Sequence, residues 1–252
     1  MENKKPYGTV LIKAAKILDY LAETPDVSLQ EIAKGTGMTS STVLKILDTL
    51  LLIGYVNKNA EKNYRLGAKL VRYANKNIEQ LDLAELTLPF LEKLQQKIDE
   101  TIHLGVLDNN EILYVNKLDP KNQTIRMSSK IGITRPLYNS AMGKAVLAEF
   151  TEDQYEDYVG THSLVPYTEY TITNSLRLKK EIEKVKKTHV AFDDEEIEKD
   201  IFCIGASIVK GDEIIGAFSV SMPKYRLTEE VKEQIITAIK QTKQEIEKTI
   251  QK

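Results

Sequence analysis

Apolar residues recur at helical spacing through Val10, Ala14, Ile17, Leu18 and Leu21, which predicts an amphipathic helix over 10–21 that Pro25 ends. Ser28 followed three residues later by Glu31 has the form of a capping box and predicts a short helix over 29–34. Gly35 and Gly37 supply a tight turn, and Thr39 caps a longer helix whose Val43, Ile46, Leu47, Leu50 and Leu51 form one apolar face. The period then changes. Residues 55–56 and 64–66 flank a polar tip, 57–63, as the two strands of a hairpin do.

Residues 68–83 lack proline and glycine and carry Leu70, Val71, Ala74, Ile78 and Leu81, so they read as a linker helix. A second helix over 86–98 tolerates Pro89 in its first turn and buries Phe90, Leu91, Leu94 and Ile98. Strands are predicted over 101–106 and 111–117, joined at Asp108-Asn109-Asn110, with a third over 124–128. Helices follow over 141–149, 152–159 and 175–187, then strands over 203–209 and 214–221 and a final helix over 229–250. Strands and helices segregate without a strict βαβ repeat, so the fold class is α+β, an antiparallel sheet with helices packed on it.

The chain has 252 residues, 42% hydrophobic and 29% charged, enough to bury two cores. Residues 1–80 hold twelve Lys and Arg against eight Asp and Glu, a balance of +4 that leaves −6 for the rest. A basic first part fits attraction to a polyanion, and an acidic remainder does not. No window approaches a bilayer span and residues 1–10 have no signal-peptide core, so the expected location is the cytoplasm, with no membrane partner. One cysteine, Cys203, and three scattered histidines (His103, His162, His189) give no disulfide framework and no metal-ligand spacing. No metal and no cofactor is expected. An enzyme is disfavoured too: Gly143-Lys144 lacks the earlier glycine of a phosphate loop, Ser140 is not in a nucleophile elbow, and nothing obliges Cys203 to ionise. The acidic run 193–196 reads as a solvated turn, because four consecutive carboxylates cannot face one ion.

Helix, turn, helix and basic hairpin in one short window point to a winged helix-turn-helix, whose second helix enters the major groove by its N-terminal end. That end carries Ser40, Ser41 and Thr42, with Lys45 one turn on and Lys58, Lys62 and Arg65 along the wing. Small hydroxyls and cations of this kind reach phosphates and base edges. Each is also an ordinary capping or solvating residue; the ordered set carries the inference. The alternative is a small-molecule sensor acting through protein contacts without DNA binding.

The segments 28–33 (SLQEIA), 41–47 (STVLKIL), 64–67 (YRLG), 135–137 (RPL), 140–145 (SAMGKA) and 192–196 (FDDEE), with Cys203 and 219–221 (SVS), appear in this order along nearly the whole chain. In this combination the chain resembles the IclR family of bacterial transcriptional regulators. The resemblance implies a winged helix-turn-helix DNA-binding domain (1–67), a linker helix (68–84) and a GAF-like effector-binding domain (85–252), working as a homodimer or dimer of dimers on a palindromic operator. The implied function is a ligand-responsive regulator, a repressor of a catabolic operon, whose operator affinity is changed by a small metabolite such as a sugar acid or other small organic acid. The effector positions it implies are the backbone of Ala141 and Met142 and the side chains of Asp193, Cys203, Ser219 and Ser221. Period two independently puts Ser219 and Ser221 on one sheet face. Two positions depart from the family pattern: Asp200, where glycine is frequent, and Ser207, where proline is frequent. Asp200, if it faces the cavity, adds a second negative charge against an anionic ligand.

Overall fold

The computed structural model describes residues 8–73, 82–123 and 127–251, and divides into two compact units at residues 80 and 81.

In the first unit, helices α1 (Thr9–Glu23), α2 (Leu29–Thr36) and α3 (Ser40–Leu52) pack Ile17, Leu21, Ile32, Val43 and Leu47 into one core. Ser28 and Glu31 form the capping box, each side chain reaching the other's backbone N–H. Gly37, at φ +67°, ends α2 in the left-handed conformation that glycine adopts without penalty. Gly35 is not part of the turn. It lies inside α2, where an added Cβ would fall 2.1 Å from the Tyr20 ring, so its role is close helix packing. Strands β1 (Val56–Lys58) and β2 (Tyr64–Leu66) form the antiparallel hairpin, and an isolated bridge from Val27 to Tyr64 ties it to the helices. A helix, α4, begins at residue 68 and is described to 73; of the rest of the expected linker helix, residues 74–81 lie outside the described residues and 82–83 belong to the helix that follows.

The second unit is built on a six-stranded, wholly antiparallel sheet in the order β5-β4-β3-β8-β7-β6. The strands are β3 (Thr101–Asp108), β4 (Glu111–Leu118), β5 (Thr134–Pro136), β6 (Ala191–Asp194), β7 (Ile201–Lys210) and β8 (Glu213–Pro223). Asn109 and Asn110, both at positive φ, make the two-residue turn between β3 and β4. The expected strand over 124–128 is not found where it can be seen: 124–126 lie outside the described residues and Met127 and Ser128 are not extended into the sheet. The edge strand is β5 instead.

Helices α5 (Asp82–Ile98) and α9 (Glu229–Ile250) cover one face through Leu91, Leu94, Ile235 and Ile239, packed on Leu104, Ile204 and Val220. Helices α6 (Ala141–Leu147), α7 (Glu152–Thr161) and α8 (Ser175–Thr188) cover the other, through Met142, Val146, Tyr158 and Leu178 on Ile112, Tyr114 and Ala217. Because α5 starts at Asp82, Pro89 lies inside the helix and not in its first turn. The ladder bond a proline cannot donate is therefore missing near mid-helix. Strand β4 carries one extra residue opposite Leu104 and Gly105, so Tyr114 and Lys117 both turn toward α6 while Val115 joins the opposite core.

Candidate functional sites

The start of α3 is held by Thr39, whose hydroxyl accepts from the backbone N–H of Thr42 and lies 2.9 Å from the Thr42 hydroxyl and 3.2 Å from that of Ser41. Ser40, Ser41 and Lys45 are exposed; Thr42 is half-buried and its hydroxyl faces the cap. Leu44, also exposed, adds an apolar side chain between them. All ion pairs among the described residues lie in the second unit, so no carboxylate neutralises Lys45 or the wing cations there.

The wing cations do not share one face. Lys58 stands opposite Tyr64 in the ladder and lies over its ring, 4.9 Å from the centroid. Arg65 is opposite Asn57, one residue out of phase, and so projects from the other side of the ribbon. Lys62, at φ +67°, sits in the tip, where the Asn59 side chain accepts from the N–H groups of Glu61 and Asn63. Ser40, Ser41 and Lys45 thus cluster on α3, whereas the wing spreads its charge around a ribbon.

In the second unit a small, partly open cavity of about 50 Å3 lies over the α6 face of the sheet. From the expected set it is lined by Asp193, Cys203 and Ser221, which are register neighbours across β6, β7 and β8. Ala141, Met142 and Ser219 do not line it. The reason is Gly205: a Cβ there would lie 2.8 Å from the Ala141 carbonyl carbon and 2.9 Å from the Met142 nitrogen, so the start of α6 rests directly on β7. Ser219 is opposite Gly205, under the same contact, and is buried.

His103, Tyr114 and Arg135 line the cavity and were not foreseen. His103 is bonded at both nitrogens, Nε2 to the Ser129 hydroxyl at 2.7 Å and Nδ1 to that of Ser221 at 3.2 Å. Burial first, then the positive charges of Lys117 and Arg135, lower its pKa to about 3, so the ring is neutral. His103 stands opposite Ser219 and so shares the serine face, a placement set by how β3 pairs with β8. Arg135 lies in a three-residue strand, too short to show an alternation.

Burial raises the Asp193 carboxyl to about 7, although Lys144 and the N–H groups of Glu196 and Ile197 pull the other way. Burial and the neighbouring Asp193 push the Cys203 thiol well up, so it is no thiolate nucleophile at neutral pH. The run 193–196 is not a solvated turn. Asp193, Glu195 and Glu196 are buried, and β6 begins at Ala191. Glu196 pairs with the fully buried Lys144 of α6 and accepts from the Ile172 N–H; Glu195 pairs with Lys224. Thr168 and Thr171 donate to the carbonyls of Glu195 and Glu196. Asp200 does not face the cavity: it is exposed at φ +63°, a conformation that explains a preference for glycine. Ser207 is buried away from the cavity, donating to Glu149 and accepting from Lys243. No group of histidine, cysteine and carboxylate side chains among the described residues could hold a metal, and no helix there is long and apolar enough to cross a membrane.

Two family models match the chain: the IclR helix-turn-helix domain over residues 10–60 and the bacterial transcriptional regulator IclR C-terminal domain over 75–248. The HTH-type transcriptional regulator KdgR of Escherichia coli is 31% identical over 222 residues, covering 87% of this chain and 84% of its own. The acetate operon repressor of Salmonella typhimurium is 30% identical, covering 87% and 82%. The crystal structure of Thermotoga maritima IclR superposes with a TM-score of 0.75 at 32% identity, over 98% of this chain and all of that one. With both units matched, and a capped recognition helix in the first and a polar cavity in the second, this chain belongs to the IclR family of helix-turn-helix transcriptional regulators.

Proposed function

We propose that this regulator is a cytoplasmic, non-enzymatic repressor of a catabolic operon, and that a small metabolite in the cavity of the second unit modulates its hold on a palindromic operator. The observation that carries the reading is the exposed, unneutralised start of α3 in a chain that also holds a cavity lined by convergent polar groups. Ser40, Ser41 and Lys45 act in the major groove; Lys58, Lys62 and Arg65 add phosphate contacts from the wing, and Thr42 orders the cap. Asp193, Cys203 and Ser221 contact the effector, whereas Ala141, Met142 and Ser219 support the cavity from beneath α6. Two-fold symmetry of the operator implies a homo-oligomer, which the three consecutive exposed apolar residues Val10, Leu11 and Ile12 favour. The metabolite works by linkage, stabilising one arrangement of the oligomer over another.

The test is fluorescence anisotropy of the full chain on a DNA fragment from upstream of its own gene, with an unrelated fragment as control. Preference for the upstream fragment is expected; equal binding to both sinks the reading. Asp193→Ala is expected to keep that affinity and lose release by the metabolite. A sensor working through protein contacts alone predicts no binding to either fragment, and the exposed Lys45 on α3 argues against it.

A further inference from the structure

Helix α3 carries an apolar residue that its own unit does not use. Val43, Ile46, Leu47 and Leu50 of this helix are buried in the core of the first unit. Leu44 stays outside that core and is 40% exposed. A lone surface leucine is ordinary. This one is set apart by its neighbours. At about 100° per residue, Leu44 falls on the exposed arc of α3 with Ser40, Ser41 and Lys45, the surface proposed above to enter the major groove, and its role rests on that reading.

The same surface lacks the side chains that identify bases by paired hydrogen bonds. Residues 39–52 contain no arginine, asparagine or glutamine. The bidentate pairs that mark guanine through arginine, and adenine through an amide, therefore cannot be formed from α3. Ser40 and Ser41 each offer a hydroxyl that turns to suit a donor or an acceptor, so they discriminate weakly. Lys45 is a point charge that phosphate satisfies as well as guanine does. One turn beyond Leu44, Asp48 is exposed and forms no ion pair among the described residues. Phosphates repel a carboxylate, so the part of α3 that beds in the groove ends before it. Leu44 lies inside that part. Thymine alone carries a methyl group on the major-groove edge, and an aliphatic side chain placed against it removes both from water.

We infer that Leu44 reads thymine methyl groups in the major groove of the operator, and that this apolar contact sets the base preference at the position it faces. The partner is a half-site with thymine under Leu44.

The test measures anisotropy of the full chain, at fixed salt, on the upstream fragment made with thymidine and on the same fragment made with deoxyuridine, which lacks only the 5-methyl groups. An unrelated fragment of each kind is the control. Burying one methyl is worth about fourfold in affinity, and a symmetric site holds two such contacts. The wild type is therefore expected to bind the deoxyuridine upstream fragment at least about fourfold more weakly, and the two unrelated fragments alike. Leu44→Ala is expected to bind the thymidine fragment more weakly by a similar factor and to lose the distinction between the two upstream fragments. Leu44→Met, which keeps an apolar reach, is expected to retain it. The inference is overturned if the wild type binds both upstream fragments equally. It is also overturned if Leu44→Ala distinguishes them as well as the wild type does, because the methyl groups would then act through DNA shape or another residue. The wild-type comparison needs no variant, and alanine favours the helix at an exposed site, with melting of the unbound variant as the check. Preference of the wild type for the upstream over the unrelated thymidine fragment separates the two failures. Without that preference the regulatory reading falls and the role of Leu44 with it; with the preference and no effect of deoxyuridine, only the role of Leu44 falls.

Discussion

The two units use charge in opposite ways. In the first, Lys45, Lys62 and Arg65 stand in solvent and the described residues form no ion pair. In the second, Lys144, Asp193, Glu195 and Glu196 are buried, and the protonation of Asp193 and His103 is moved far from its ordinary range. Exposed charges keep their hydration and act at a distance on a polyelectrolyte, so salt governs them. Desolvated charges act only at contact, so pH and shape govern them.

The comparison breaks most readily at Lys144. Lys144→Met removes one partner of a buried pair and leaves Glu196 unpaired, which is expected to destabilise the second unit by about 3–5 kcal/mol. Urea unfolding measures it, and a loss under about 1 kcal/mol would mean the pair is dispensable. Gly205→Ala comes next. Its Cβ would press on backbone rather than on a flexible side chain, so a loss of about 1–3 kcal/mol and weaker effector binding are expected.

Asp193→Asn sharpens the contrast through pH. The folded carboxyl titrates near 7 and the unfolded one near 4, so the folded state binds the extra proton between those values. Asp193 therefore withdraws stability as pH rises from about 4 to about 7. The Asn variant is expected to gain about 1–2 kcal/mol over wild type at pH 8 and nothing at pH 4, read as the difference between two melting curves. His103 works in the other sense. Its folded pKa is depressed, so its neutral burial loses stability as pH falls below about 6.5, and His103→Gln is expected to flatten the acid limb.

Lys45→Ala is the mildest of these changes and belongs to the salt-governed unit. It is expected to weaken operator binding several-fold and to lower the slope of log affinity against log salt by about 1, with folding stability within about 0.5 kcal/mol of wild type. A slope equal to that of wild type would remove Lys45 from the phosphate contacts.

What could be read from the residue order follows the range of the interactions. The Ser28–Glu31 box, the Thr39 cap and the Asn109-Asn110 turn are decided within four residues, and each is found as expected. The long final helix is legible because its apolar stripe runs through Ile235, Ile239 and Ile246. The run 193–196 misleads because its partners are distant: Lys144 is fifty-two residues from Glu196, and Lys224 twenty-nine from Glu195. Carboxylates look solvated when the groups that hold them belong to other elements. In the cavity, the serine and cysteine positions were open to view, while His103 and Arg135 depended on how β3 and β5 pair.

The extra residue in β4 acts as a change of phase in the strand. Ahead of it the even-numbered Ile112 and Tyr114 look toward α6; beyond it the odd-numbered Lys117 does. Were the intact strand to pair without this bulge, Val115 would stand opposite Leu104 and Asn116 opposite His103, and the Lys117 side chain would swing to the α9 side, leaving Asp119 and the Met127 carbonyl without their cation. The floor of the cavity is thus keyed to an irregularity that no single side chain in it reveals.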